Sequence, residues 1–286
     1  MILLSFGHGY SAQALERLLL PKGWEIIGTT RSSEKAKSMQ SRGVTARLFP
    51  SDDLSADLER ATHILISAGP NEKGDPVLLE AREAIAQVAG GKDWIGYLST
   101  TGVYGDHEGG WVDETTALTP ATKRGLARVE AERAWQSLAQ ETGAPLHIFR
   151  LAGIYGPERG PFAKVREGTA RRIIKANQVF SRIHVDDIAQ VLMASMQNPN
   201  AGAIYNLCDD EAAPPEDVIA FAAELLRLPI PPAIDFDQAD LTPMARSFYS
   251  ESKRVRNDRI KDDLGVKLLY PDYRAGLRAL LDEEEA

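Results

Sequence analysis

One cysteine among 286 residues leaves this chain no internal disulfide and no cysteine-rich metal site. That residue, Cys208, closes the apolar run Ala203–Cys208, where a buried structural thiol is expected. Basic charge is also scarce: 33 Lys and Arg stand against 41 Asp and Glu, a net charge of −8. Binding along a nucleic-acid backbone needs a basic surface, so no nucleic-acid partner is expected. The clusters Arg171-Arg172 and Arg254/Arg256/Arg259 sit in helix-like contexts and read as solvated helix faces. No apolar run approaches the roughly 20 residues that span a bilayer, so no membrane partner is expected. The first apolar stretch has no basic leader and reads as a strand rather than a signal peptide. No metal-ligand spacing occurs, and no metal is expected. What remains is the expectation of a soluble cytoplasmic protein, long enough for a main domain with a smaller lobe.

What the chain does have begins at its first residues. Ile2–Phe6 is an apolar run, Gly7-His8-Gly9-Tyr10-Ser11-Ala12 follows, and helical spacing starts at once. A strand, a G-x-G-x-x-A turn and a helix together cradle a dinucleotide pyrophosphate. The first glycine permits the tight turn and the second lets backbone approach the phosphates. The small third residue lets helix and strand pack closely. The helix N-terminus then offers free N–H groups and a partial positive charge to the anion.

Strand-like runs follow at Glu25–Thr30, Thr45–Phe49, His63–Ala68, Trp94–Ser99, His147–Leu151 and Ala203–Cys208. Helical patterns separate them at Ala12–Leu20, Glu34–Arg42, Asp52–Arg60, Val77–Val88, Lys123–Glu141 and Val185–Gln197. Such alternation predicts an α/β fold, a doubly wound parallel sheet of the Rossmann type. Residues 1–156 and 182–208 are expected to form the dinucleotide-binding domain. Residues 157–181 and 209–286 are expected to form a smaller substrate lobe. Ligands bind such sheets at the carboxyl ends of the strands. The cofactor is therefore expected against Ser67, Ala68 and Gly69, against Ser99, and against Ala152 and Gly153, besides the glycine turn.

The second strand ends Thr29-Thr30-Arg31-Ser32-Ser33, with no acid to accept from a ribose 2′-hydroxyl. Arg31 instead offers a planar cation suited to a 2′-phosphate, preceded by Thr30 and with Ser32 and Ser33 as added donors. NADP(H) is preferred over NAD(H) on this ground.

At Leu98-Ser-Thr-Thr-Gly-Val-Tyr-Gly105 the chain resembles the short-chain dehydrogenase/reductase superfamily. The likeness is greatest to its extended and atypical members, the NAD-dependent epimerase/dehydratase-like proteins. Further matching segments are Arg150-Leu-Ala-Gly-Ile-Tyr-Gly-Pro157, Arg182-Ile-His-Val-Asp-Asp-Ile-Ala189, Tyr205-Asn-Leu207 and Tyr270-Pro-Asp-Tyr-Arg-Ala-Gly-Leu277. The resemblance implies a nicotinamide cofactor on the N-terminal sheet, a small-molecule substrate under the C-terminal lobe, and a homodimer. It implies that Thr100 orients the reacting oxygen. It also implies a Tyr-x-x-x-Lys pair on the next helix, and this the chain lacks. Alignment on Glu130-Ala-Glu132 puts Arg124 in the tyrosine's place and Arg128 in the lysine's. An arginine stays protonated and is a poor general acid or base, but it binds anions and stabilises negative charge.

Another group would then have to move the proton. Tyr104 and Tyr155 each belong to a Tyr-Gly turn suited to packing, and Tyr104, Tyr155 and water are the candidate donors. His184 with Asp186-Asp187 reads as a helix start with an acidic first turn, and His107 lies in a glycine-rich loop. The expected function is an NADP(H)-dependent oxidoreductase or epimerase. Its substrate is a small carbonyl or sugar-type molecule, anionic if Arg124 meets it. The alternative is a catalytically inactive NADP(H)-binding sensor or regulatory protein.

Overall fold

The protein is described by a computed structural model covering residues 1–285. Seven parallel strands form its centre: β1 (Ile2–Phe6), β2 (Glu25–Thr30), β3 (Thr45–Leu48), β4 (His63–Ile66), β5 (Trp94–Thr100), β6 (Leu146–Leu151) and β7 (Ile204–Leu207). Their spatial order is β3-β2-β1-β4-β5-β6-β7, so the direction of winding reverses between β1 and β4. Phe6 lies beside Ile66 there, and the crevice above this pair is where such a sheet takes ligands.

Alternate residues along each strand face opposite layers, and both layers are apolar. Leu3, Leu65, Trp94 and Phe149 pack beneath α1 (Tyr10–Leu19), with Ala12, Leu15 and Leu19, and against Ile188 and Leu192 of the helix Val185–Gln197. Leu4, Ile64, Ile95 and Ile148 face the other way, towards α3 (Ser55–Arg60), α4 (Pro76–Ala89) and α5 (Lys123–Thr142), while α2 (Ser33–Ser41) lies on the first side, its Met39 buried with Leu3 and Leu15. Ile85, Trp135 and Leu138 fill that second layer. The helix Val185–Gln197, α6, is tied to the sheet by Trp94 Nε1 donating to Ser195 Oγ at 3.0 Å.

A third apolar cluster lies in the C-terminal part. Phe162, Val165, Val218, Ala222, Tyr273, Leu277 and Leu280 gather between the short helix Phe162–Arg166, α7 (Pro215–Leu225) and α8 (Tyr273–Glu285). Three short parallel pairs complete it: Arg182–His184 with Gly153–Tyr155, Ala233–Asp235 with Arg172–Ile174, and Arg254–Val255 with Trp111–Val112.

Those pairs correct the reading of the basic clusters. Arg172 opens a strand, Arg254 opens another, and of that set Arg259 alone lies in a helix, Asp258–Asp262. Arg171 and Arg256 are exposed, whereas Arg254 and Arg259 bind backbone carbonyls. Arg254 donates to Gly109 O, and Arg259 donates to Ile204 O at 3.0 Å. Isoleucine and valine beside the arginines extend the backbone, and the partner strand secures it. Among the described residues, no helix is long and apolar enough to cross a membrane.

Candidate functional site

A cleft of about 470 Å³ opens over the carboxyl ends of β1, β2 and β4. Gly7, His8 and Gly9 form its floor; Thr30, Arg31 and Ser32 form one wall, and Ala68 and Gly69 the other. Two glycines there do different work. Gly7 has φ +74°, and a Cβ on it would stand 2.8 Å from Ala68 N, so the β1–β4 junction itself requires glycine. A Cβ on Gly9 would meet nothing nearer than Gly7 O at 3.6 Å. The fold therefore leaves open space at Gly9, on the side where a ligand approaches. Gly9 is also the N-cap of α1 and provides no side-chain cap, so the helix presents bare N–H groups.

The side chains of the rest of the predicted turn are held by the protein. Ser11 and Ala12 are buried. Tyr10 turns away, its hydroxyl donating to Pro157 O at 2.8 Å while Arg159 lies over its ring. Burial pushes the Tyr10 phenol up to about 12. The His8 imidazole is buried beneath the turn and meets Glu16 Oε2 at 2.9 Å, with Arg42 on the same carboxylate.

Residues that sequence reading did not single out complete the cleft: Phe6, Thr29, Lys35, Phe49, Asn71, Pro76 and Val77. Phe6 and Phe49 meet edge to face with centroids 5.3 Å apart, giving the cleft an aromatic side. Lys35 stands in the first turn of α2, which Ser32 caps by accepting from Lys35 N at 3.3 Å. Its position one turn past Arg31 was the available signal. Neither Arg31 nor Lys35 has an ion-pair partner among the described residues, and no carboxylate lines the cleft.

Beyond Gly69 lie the residues predicted on β5 and α5. Thr100 is half-buried, and its Oγ1 accepts from Gly102 N at 3.2 Å, which leaves its proton free to donate. Arg128 Nη1 donates to Leu98 O at 2.7 Å and to Tyr97 OH at 3.1 Å. Its Nη2 reaches within 2.9 Å of where a Cβ on Gly69 would stand. Arg128 thus borders the cofactor cleft. Arg124, one turn earlier, is exposed, and its guanidinium carbon lies 5.9 Å from the centre of the Phe248 ring.

Other predicted residues, Ala68 on the cleft wall excepted, lie beneath or outside the cleft. Ser99 is buried and donates to Glu132 Oε1 at 2.5 Å. Tyr104 is fully buried, donating to Asn206 Oδ1 at 2.7 Å and accepting from Arg150 Nη1 at 3.0 Å. Burial pushes its phenol up to about 12, so the structure places Tyr104 in the core network rather than at a substrate. Ser67 N and Ala68 N both bind Phe6 O, and Ala152 N binds Leu207 O, all within strand-end backbone. Gly153 pairs with Arg182, away from the cleft lining. His184 caps α6 by accepting from Asp186 N at 3.2 Å, and Tyr155 is buried, its hydroxyl donating to Asp272 O at 3.4 Å. His107 Nε2 lies 3.1 Å from Tyr104 O, held in its loop.

The profile of the NAD dependent epimerase/dehydratase family matches residues 2–208. The chain belongs to that family. Protein YeeZ of Escherichia coli is 27% identical over 277 residues, spanning 93% of this chain and 95% of its own. A functionally unknown conserved protein from Silicibacter pomeroyi is 60% identical, with TM-score 0.95 over 99% of this chain and 98% of its own. More distant solved structures share the fold. MoeE5, solved with UDP-glucose and NAD, has TM-score 0.79 at 18% identity, covering 100% of this chain and 99% of its own. Human epimerase family protein SDR39U1, solved with NADPH, has TM-score 0.76 at 19% identity, covering 99% of each chain. The sheet order and the glycine-floored crevice of this epimerase/dehydratase-family member are those of a nucleotide-binding Rossmann fold.

Proposed function

We propose that this family member is an NADP(H)-dependent oxidoreductase or epimerase acting on a small carbonyl or sugar-type substrate. The observation that carries the cofactor choice is the pair Arg31 and Lys35, just past the end of β2, neither in an ion pair among the described residues and with no carboxylate lining the cleft. A ribose 2′-hydroxyl wants an acceptor there; a 2′-phosphate wants donors and positive charge. Gly7, Gly9 and the uncapped start of α1 suit the pyrophosphate, and the Phe6–Phe49 side suits a flat base.

A nicotinamide dinucleotide, when bound, supplies or takes up a hydride. The chain's own part is orientation. Thr100 donates to the substrate oxygen while its own Oγ1 is held by Gly102 N–H. Arg128, fixed on Leu98 O, supplies positive charge at the edge of Gly69. In carbonyl reduction the carbon gains hydride and the oxygen gains a proton; with Tyr104 enclosed, that proton comes from water.

The test is NADPH consumption over a panel of small carbonyl compounds, with Thr100→Val alongside. Turnover that falls at least about a hundredfold in Thr100→Val, with NADPH affinity unchanged, supports the reading. Arg124 in the tyrosine's place favours a second reading, a sensor that binds NADP(H) without chemistry. Tight NADPH binding with no turnover on any compound supports that instead.

A further inference from the structure

The two arginines of α5 are four residues apart on one helix face, yet they stand in different circumstances. Arg128 is committed: Nη1 serves two acceptors of the protein, Leu98 O and Tyr97 OH, and the group lies 5.8 Å from the Tyr97 ring. Arg124 has no hydrogen bond or ion pair among the described residues. Its guanidinium lies instead against the ring of Phe248, which ends the short helix Pro243–Phe248 of the C-terminal part. Phe248 is itself 54% exposed, a large apolar side chain left in water.

The place of this contact matters. A Cβ on Gly125 would stand 2.8 Å from Gly102 O, so the first turn of α5 is seated on the turn that follows Thr100. Arg124 is therefore set between the end of β5 and the C-terminal segment, one turn outward from the Arg128 that borders the cofactor cleft. The contact with the Phe248 ring uses none of the Arg124 N–H donors, so the N–H fork is free to meet a planar anion. A carboxylate fits that fork with two parallel hydrogen bonds.

We propose that Arg124 and Phe248 together hold a carboxylate of the substrate, and that Arg128 takes no part in holding it. The substrate class is then a carbonyl or hydroxy compound bearing a carboxylate. This rests on the cleft assigned above, with Arg124 as the anchor and Phe248 as a positioning residue. The carboxylate end lies under the C-terminal segment and the reacting carbon lies towards Thr100.

The experiment is calorimetric titration of the full chain with malonate, at constant ionic strength, with and without saturating NADPH. Inorganic phosphate and chloride serve as comparison anions. Saturable malonate binding is expected, weakened at least about tenfold in Arg124→Gln and partly restored in Arg124→Lys. Phe248→Ala is expected to weaken it by about threefold. NADPH affinity should be unchanged in all three variants. Malonate binding that survives Arg124→Gln, or that is lost only in Arg128→Gln, overturns the proposal. So does tighter binding of phosphate, binding matched by chloride, or no saturable binding. Malonate binding that depends on Arg124 in a protein without NADPH affinity upholds the anchor and overturns the cofactor assignment instead.

Discussion

Glu132 and Arg150 form a two-point ion pair that is almost wholly out of water. Arg150 Nη2 donates to Glu132 Oε2 at 2.8 Å and Nε to Oε1 at 3.2 Å, with side-chain exposures of 4% and 2%. Glu132 comes from α5 and Arg150 from β6, so the pair fastens the helix carrying Arg124 and Arg128 to the sheet. Its free valences are used as well. Ser99 donates to the carboxylate, and Arg150 donates to the Tyr104 hydroxyl, which binds Asn206.

Removing one partner of this pair should be far worse than removing both. Glu132→Ala leaves Arg150 as a buried, unpaired cation, and a loss of about 3–5 kcal/mol is expected. Replacing both residues with apolar side chains of similar volume should recover most of that loss. Urea unfolding of the single and double variants checks it. A Glu132→Ala protein within about 1 kcal/mol of wild type would show the pair to be wetter than the structure has it.

The two cleft glycines should separate stability from binding. Gly7→Ala places a Cβ 2.8 Å from Ala68 N at φ +74°, so unfolding should move to lower temperature. Gly9→Ala meets no protein atom nearer than 3.6 Å, so the melting temperature should stay within a few degrees. NADPH affinity, by contrast, should fall at least about tenfold in Gly9→Ala. Thermal unfolding and fluorescence titration of both variants provide the measurement.

These two glycines also mark what the sequence could disclose. The strands were legible because a sheet covered on both faces demands near-continuous apolar runs such as Ile2–Phe6 and Trp94–Leu98. The turn was legible because its glycines lie within three residues of a strand end. Lys35 was not singled out, since a lysine in a helix first turn is ordinarily solvated and only the cleft reveals it. Glu132 and Arg150 meet across 18 positions, and Phe248 reaches Arg124 across 124, with no local pattern announcing either contact. Tyr104 misled for the same reason: its Tyr-Gly turn follows a strand end, but Asn206, 102 positions away, encloses its hydroxyl.

Stability should decline between pH 6.5 and 8 because of Asp209. Burial pushes its carboxyl up to about 8, and Arg182 nearby only partly opposes this. The folded state then keeps a proton that the unfolded chain has released above about pH 4. Between those values folding takes up protons, so stability falls as pH rises. Below pH 6.5 the buried His147 and His184, both depressed to about 4, work in the other sense. Each is neutral when folded, so its share of stability is present above pH 6.5 and lost as pH falls towards 4. The Asp209 slope emerges once they are neutral in both states, at up to about 1.4 kcal/mol per pH unit. Asp209→Asn should flatten it. Denaturant unfolding at pH 6.5, 7.25 and 8 measures the slope, and an equal slope in the variant would exclude Asp209.

Arg31 and Lys35 should act together on the 2′-phosphate and be nearly silent towards NADH. Each alanine variant removes one charge-assisted contact, so each should weaken NADPH binding about 10- to 100-fold while shifting NADH binding less than about threefold. Two cations on one dianion share its charge, so the double variant should lose less than the product of the two single losses. Added salt should weaken NADPH binding more steeply than NADH binding in wild type, and this difference should shrink in the double variant. Should Arg31→Ala lower both affinities equally, its role is in shaping the β2 end, and the preference for NADP(H) falls. Should Lys35→Ala change neither, its ammonium faces solvent above the cleft and Arg31 alone reads the phosphate.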